Sequence, residues 1–120
     1  MRILRSIHQI TDANRGASAA IGNFDGVHLG HQSVLDVARR AGAPLGVLTF
    51  EPHPREFFAP DAPPFRLMNA AARAHRLEKL GVHVLFELPF TQDIIDLTPV
   101  GFVADVLDAG LGLSHVVVGA

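Results

Sequence analysis

The sequence predicts an α/β fold, a parallel sheet with helices on both faces. Three observations carry this reading. Strand-like and helix-like stretches alternate along the 120 residues, the pattern of crossover units rather than of hairpins. Residues 45–50 (LGVLTF) are almost wholly apolar, as expected of a parallel strand covered on both faces. A glycine-rich turn, residues 22–31 (GNFDGVHLGH), falls between the first apolar run of the main sheet and the first helical pattern. A chain of this length reads as one domain and buries roughly two-thirds of its unfolded surface, enough for a single core.

Taken in order, residues 2–10 alternate loosely and predict a short edge strand. Residues 11–18, with Asp12, Asn14 and Gly16, read as a loop. Residues 19–22 are the first strand of the main sheet. A helix follows over 31–41, with Val34, Leu35, Ala38 and Ala41 on one face. Gly42 ends it and Pro44 prevents its restart. After the strand at 45–50, residues 51–66 form a long connection holding five prolines and the rings of Phe57, Phe58 and Phe65. Connections of that length are usually functional or disordered, and the aromatic content favours function. Asn69 caps a helix running to Leu80, with Ala70, Ala74 and Leu77 inward and Gly81 closing it. Residues 82–88 are the next strand. Asp93 and Asp96 lie in a polar surface loop. Thr98-Pro99 opens a third helix, the threonine as cap and the proline in the first turn. Its apolar stripe is Phe102, Val103, Val106 and Leu107. A last strand covers 115–119, built on Val116, Val117 and Val118.

Bulk properties narrow the function. The net charge of −2 gives no general attraction for nucleic acid or an anionic membrane, so any phosphate site is local. With no cysteine there is no disulfide framework, thiolate zinc site or redox motif, which fits cytoplasm. No apolar run reaches the roughly 18 residues of a membrane span. The opening MRILRSIHQI is too broken by polar residues for a signal peptide.

The chemistry concentrates in two strings. In an open α/β sheet, ligands bind beyond the carboxyl ends of the strands, and both strings begin there. In GNFDGVHLGH, Gly22, Gly26 and Gly30 permit tight bending and close backbone approach. His28 and His31 flank Leu29-Gly30 at the mouth of a helix, whose free N–H groups and partial positive charge suit phosphate. Handling a polyphosphate is the favoured chemistry. Zinc on Asp25, His28 and His31 is the competing one, but offers only three local ligands. Asp25 reads equally well as a residue orienting a histidine or a hydrated magnesium ion and as a turn aspartate helped by Gly26. The second string, residues 49–54 (TFEPHP), has two prolines that hold an extended path. Such a rigid apolar rim suits a flat ring system, on which Phe50, Phe57, Phe58 or Phe65 stacks. Arg66, at the end of the connection, reads equally as a phosphate ligand and as a solvated arginine.

HLGH resembles the HxGH signature of the nucleotidyltransferase superfamily. With Asn23, Phe24 and Asp25 before it and TFEPHP after it, the chain resembles the N-terminal adenylyltransferase (FAD synthetase) module of the prokaryotic bifunctional riboflavin kinase/FMN adenylyltransferase family, from about Ile3 onward. The resemblance implies a Rossmann-like fold and transfer of AMP from ATP to FMN, giving FAD and pyrophosphate. It implies that His28 and His31 bind the phosphates and stabilise the transition state. Gly22, Asn23, Phe24, Asp25, Gly26 and Gly30 line the nucleotide, and Phe50, Pro52, His53, Pro54 and Arg66 the flavin side. No metal is held by the protein itself; Mg2+ arrives on ATP and keeps several waters. The family continues with a segment whose arginine grips ATP and then with a riboflavin kinase domain. Residues 1–120 are therefore expected to be the N-terminal part of the adenylyltransferase domain, inactive alone. Two competitors remain: a nucleotidyltransferase acting on another phosphorylated small molecule, and a fragment that binds without turnover.

Overall fold

A computed structural model describes residues 1–24, 29–40, 42–52, 54–61 and 68–118. Five strands form one sheet: β1 (Arg2–Leu4), β2 (Ser18–Ile21), β3 (Leu45–Glu51), β4 (Val84–Pro89) and β5 (His115–Val118). The order across the sheet is β1-β4-β3-β2-β5, and every neighbouring pair is parallel. Ala19 of β2 lies opposite Gly46 of β3 on one side and Val116 of β5 on the other. Gly46 is small for a reason. A Cβ there would stand 3.1 Å from Cε2 of Phe86, whose ring crosses over it from β4.

Both faces of β2, β3 and β4 are buried, so these central strands are apolar at most successive positions. On one face Ala20, Leu45, Val47 and Leu85 pack under two helices, α1 (Leu29–Ala38) and α3 (Ala70–Lys79), through Leu35, Ala38, Ala74 and Leu77. On the other, Leu4, Leu48, Val84, Phe86 and Leu88 meet Val106, Leu107 and Leu111 of the C-terminal helix. Leu85 thus points one way while Val84 and Phe86 point the other, the two-residue alternation of a strand.

Helix boundaries follow local chemistry. The helix expected over 31–41 begins two residues earlier, at Leu29, and Ala41 lies outside the described residues. Gly42, at φ 80°, and Pro44 follow it, as predicted. The Asn69 side chain accepts from the Ala72 N–H at 2.8 Å, which caps α3. Ala74 and Leu77 face inward as expected, whereas Ala70 is only half-buried and Arg73 is buried instead. The edge strand expected over 2–10 is cut to three residues, because the Ser6 hydroxyl accepts from the His8 N–H and starts a 3-10 turn at Ile7–Gln9. The connection after β3 contains a short helix, α2 (Pro54–Phe58), with proline in its first position. The polar stretch after β4 contains a single turn, α4 (Gln92–Ile95).

The third helix opens as predicted. The Thr98 hydroxyl accepts from the Gly101 N–H at 3.0 Å, and Pro99 begins α5 (Pro99–Gly101). It then widens into a π-helix over Phe102–Gly110. Each turn closes one residue later than in an α-helix. The inward face therefore takes Phe102, Val106, Leu107 and Leu111, and the expected stripe residue Val103 turns outward to 55% exposure.

This topology positions the site. From β2 the chain builds β3 and β4 on one side, then crosses to place β5 on the other. The direction of building reverses at β2. A crevice opens there at the carboxyl end of the sheet, where doubly wound folds take their ligands.

Candidate active site

Gly22, Asn23 and Phe24 leave β2 at that edge. The Gly22 N–H donates to the Leu48 carbonyl at 3.1 Å, which extends the pairing of β2 with β3 by one residue. Phe24 then adopts φ 53°, a left-handed conformation unusual for a bulky residue. Its ring is only 1% exposed and folds back into the core beneath α1. A Cβ on Gly22 would stand 3.1 Å from that ring, tighter than an ordinary contact, so a larger residue would press on Phe24. From the core the Phe24 ring also meets His31, with ring centroids 4.8 Å apart and planes at 38°. His31 lies in the first turn of α1, half-buried, next to Gly30.

The structure thus brings together Gly22, Asn23, Phe24, Gly30 and His31 where β2 passes into α1. Of the other residues singled out in sequence, Asp25, Gly26, His28, His53, Phe65 and Arg66 lie outside the described residues. The zinc alternative depends on two of them, Asp25 and His28.

The flavin-side candidates stand at the ends of β3 and β4. Phe50 meets Phe90 edge-on at 5.4 Å and Phe102 at 6.3 Å. Phe57 lies 5.5 Å from Phe90, and Phe58 6.0 Å from it. Among the described residues, Phe90 is therefore the centre of a cluster of five rings, and Phe58, 66% exposed, forms its outer edge. Glu51-Pro52 is a cis peptide; Pro52 is exposed and Pro54 begins α2. The Phe90 N–H donates to the Glu51 carbonyl at 3.2 Å, tying the two strand ends together. The sequence joins neither Phe90, two residues past the strand expected over 82–88, nor Phe102, in the expected helix stripe, to the aromatic rim. Their membership depends on β3 and β4 being neighbours and on the C-terminal helix crossing the same face.

Arg73 was missed entirely. Its side chain is 1% exposed, beneath the same carboxyl edge. One terminal nitrogen donates to the Asn23 carbonyl at 3.1 Å, and the other to Glu51 Oε1 at 2.8 Å. Glu87 Oε2 is 3.6 Å away and completes the charge balance. A signal was present: Arg73 precedes Leu77 by four positions and so shares its inward face. Its partners come from β3 and β4, which helical periodicity does not reveal.

A further apolar groove of about 600 Å³ runs between β5 and the C-terminal helix, lined by Ile21, Phe102, Leu107, Leu113, Val116 and Val118. It adjoins the same end of β2.

A parallel sheet that reverses its direction of growth at β2, with a glycine-rich turn feeding a helix at that point, defines a Rossmann-type α/β protein of nucleotidyltransferase architecture. Comparison with known proteins narrows this. The family model described as FAD synthetase matches residues 10–120, and the chain belongs to that family. A bifunctional riboflavin kinase/FMN adenylyltransferase of Pseudomonas fluorescens is 42% identical, over 99% of this chain and 39% of the relative. Enzymes of the same description from Escherichia coli K12 and Bacillus subtilis are each 35% identical, over 99% and 93% of this chain and 40% and 37% of their own lengths. The chain thus spans about two-fifths of the length of these curated relatives. A solved structure described as a macrolide-efflux protein from Streptococcus pneumoniae superposes with TM-score 0.74 at 27% identity, covering 97% of this chain and 40% of that one. Among the described residues here, no helix is long and apolar enough to cross a membrane.

Proposed function

We propose that residues 1–120 are the N-terminal part of an FMN adenylyltransferase module, which transfers AMP from ATP to FMN and releases pyrophosphate. What supports this is that residues 22–24, just past β2, and the phenylalanine cluster lie along one carboxyl edge of the sheet, in a chain of the FAD synthetase family. An FMN phosphate oxygen attacks the α-phosphorus of ATP; the new P–O bond forms as the bond to pyrophosphate breaks. The protein's part is to align the two and stabilise the charge on the transferring group. His31, with His28 by resemblance, donates to phosphate oxygens at the mouth of α1. Gly22, Asn23, Phe24, Asp25, Gly26 and Gly30 shape the nucleotide side. Phe50, Pro52, His53, Pro54 and Arg66 serve the flavin side, joined by Phe90. Mg2+ would accompany ATP. A riboflavin kinase domain, as the relatives' names indicate, would supply FMN within the same polypeptide, in the cytoplasm.

The test uses a protein carrying this module with the remainder found in its relatives. His31→Ala should lower FAD formation by roughly two to three orders of magnitude, the scale of losing one transition-state donor. Loss of the ring contact with Phe24 costs only about 0.5–1.5 kcal/mol of stability. Phe50→Ala should weaken FMN binding far more than ATP binding. Wild-type turnover in His31→Ala, or a larger loss of ATP than of FMN in Phe50→Ala, would reject these assignments.

A further inference from the structure

We propose that Arg73 is a positioning residue that couples the nucleotide-side turn to the flavin-side loop; the substrates named for the two sides rest on the function proposed above. One guanidinium holds both: the Asn23 carbonyl at 3.1 Å and the Glu51 carboxylate at 2.8 Å. The held carbonyl belongs to the peptide that enters Phe24, so its direction sets the φ of 53° about the next bond. Phe24 in turn carries its ring against His31. Glu51 is the last residue of β3 and leads through Pro52 into α2, which bears Phe57 and Phe58. A movement of either loop reaches the other through a rigid planar group.

Stability alone does not account for an arginine at this place. A buried ion pair gains little over well-packed apolar side chains of similar volume. What the guanidinium provides is a fork with fixed geometry between two acceptors. Glu87, at 3.6 Å and itself 8% exposed, balances the charge from β4 and is approached from outside by Arg5 Nε at 3.4 Å. The fork is therefore anchored on three consecutive neighbours in the sheet, β4, β3 and the end of β2. Lysine retains the charge but has no planar fork to span both acceptors.

The test is a mutant cycle read by heteronuclear NMR on the chain without ligand. Glu51→Gln should shift the Phe24 amide and His31 ring signals, and the shift should vanish when Glu51→Gln is made in an Arg73→Lys background. Arg73→Lys keeps the charge, so the signals of Val47 and Leu85 in the sheet should stay in place and report an intact fold. Phe24 and His31 signals that ignore Glu51→Gln, or that move equally in both backgrounds, would overturn the coupling. Titrations with ATP and FMN then test the substrates separately. In a protein that binds both, saturation with one should tighten the other by roughly five-fold or more, a typical coupling between sites. Arg73→Lys should bring that factor close to one. A wild-type chain that passes the NMR cycle yet binds neither compound would retain the coupling and reject the substrate assignment. Unchanged cooperativity in Arg73→Lys would reject the coupling.

Discussion

Replacing Phe24 by glycine and by alanine should reverse the usual order of stability. Either change deletes a ring that is 1% exposed in the core beneath α1. That common loss is about 3–5 kcal/mol, the range for truncating a buried aromatic residue. The two variants differ in their backbone. At φ 53° an alanine Cβ still suffers the left-handed clash, which costs about 1–2 kcal/mol. Glycine escapes it, but the greater freedom of its unfolded chain costs roughly 0.5–1 kcal/mol. Phe24→Gly should therefore be the more stable by about 0.5–1 kcal/mol. With ordinary backbone at this position it would be the less stable by a similar amount. The sign alone decides. The chain has no tryptophan or tyrosine, so urea unfolding is best followed by circular dichroism. With a urea dependence of about 1–3 kcal/mol per molar, the midpoints should separate by a few tenths of a molar. A stability in the upper part of the typical range of about 5–15 kcal/mol leaves both variants folded enough to measure. A higher midpoint for Phe24→Ala would refute the claim that backbone strain is stored where the chain leaves β2.

Three further outcomes follow from the same geometry. Asn69→Ala removes the acceptor for the Ala72 N–H and should cost about 1 kcal/mol in thermal or urea unfolding, while Asn69→Asp should recover most of it. Gly46→Val forces a side chain against the Phe86 ring, 3.1 Å from the Cβ position, and should lower stability by about 1–3 kcal/mol; an unchanged midpoint would mean that Phe86 yields freely. Val103 and Val118, 55% and 71% exposed along the apolar groove beside β5, present surface of the kind that drives association, so Val103→Lys with Val118→Lys should lower the sedimentation coefficient at high concentration with a stability change within about 0.5 kcal/mol.

What could be read in advance divides along a physical line. The strands, the two capped helices and the parallel sheet were legible because each depends on residues close together in sequence. Val84, Leu85, Phe86 and Leu88 are apolar because both faces are covered, and Asn69 and Thr98 cap because their own helices begin there. The β2–α1 turn was legible as a candidate site because a ligand approaching backbone calls for glycine at close spacing. The left-handed Phe24 was not legible. Its conformation is imposed by burial of the ring under α1 and by the hold of Arg73 on the preceding carbonyl. Nor was the outward turn of Val103, which depends on a helix winding more widely than the pattern assumed. Arg73 is the most instructive failure. A window around it shows a charged residue among alanines on a polar helix, and burial there is expected only with compensation. The compensation comes from Glu51 and Glu87, the acidic residues that β3 and β4 bring to one end of the sheet, and from a carbonyl after β2. A buried charge is thus foreseeable only once the strand order is known. In this fold the strand order also decides which loops meet at the carboxyl edge, so the polar contacts hardest to foresee lie beside the candidate site.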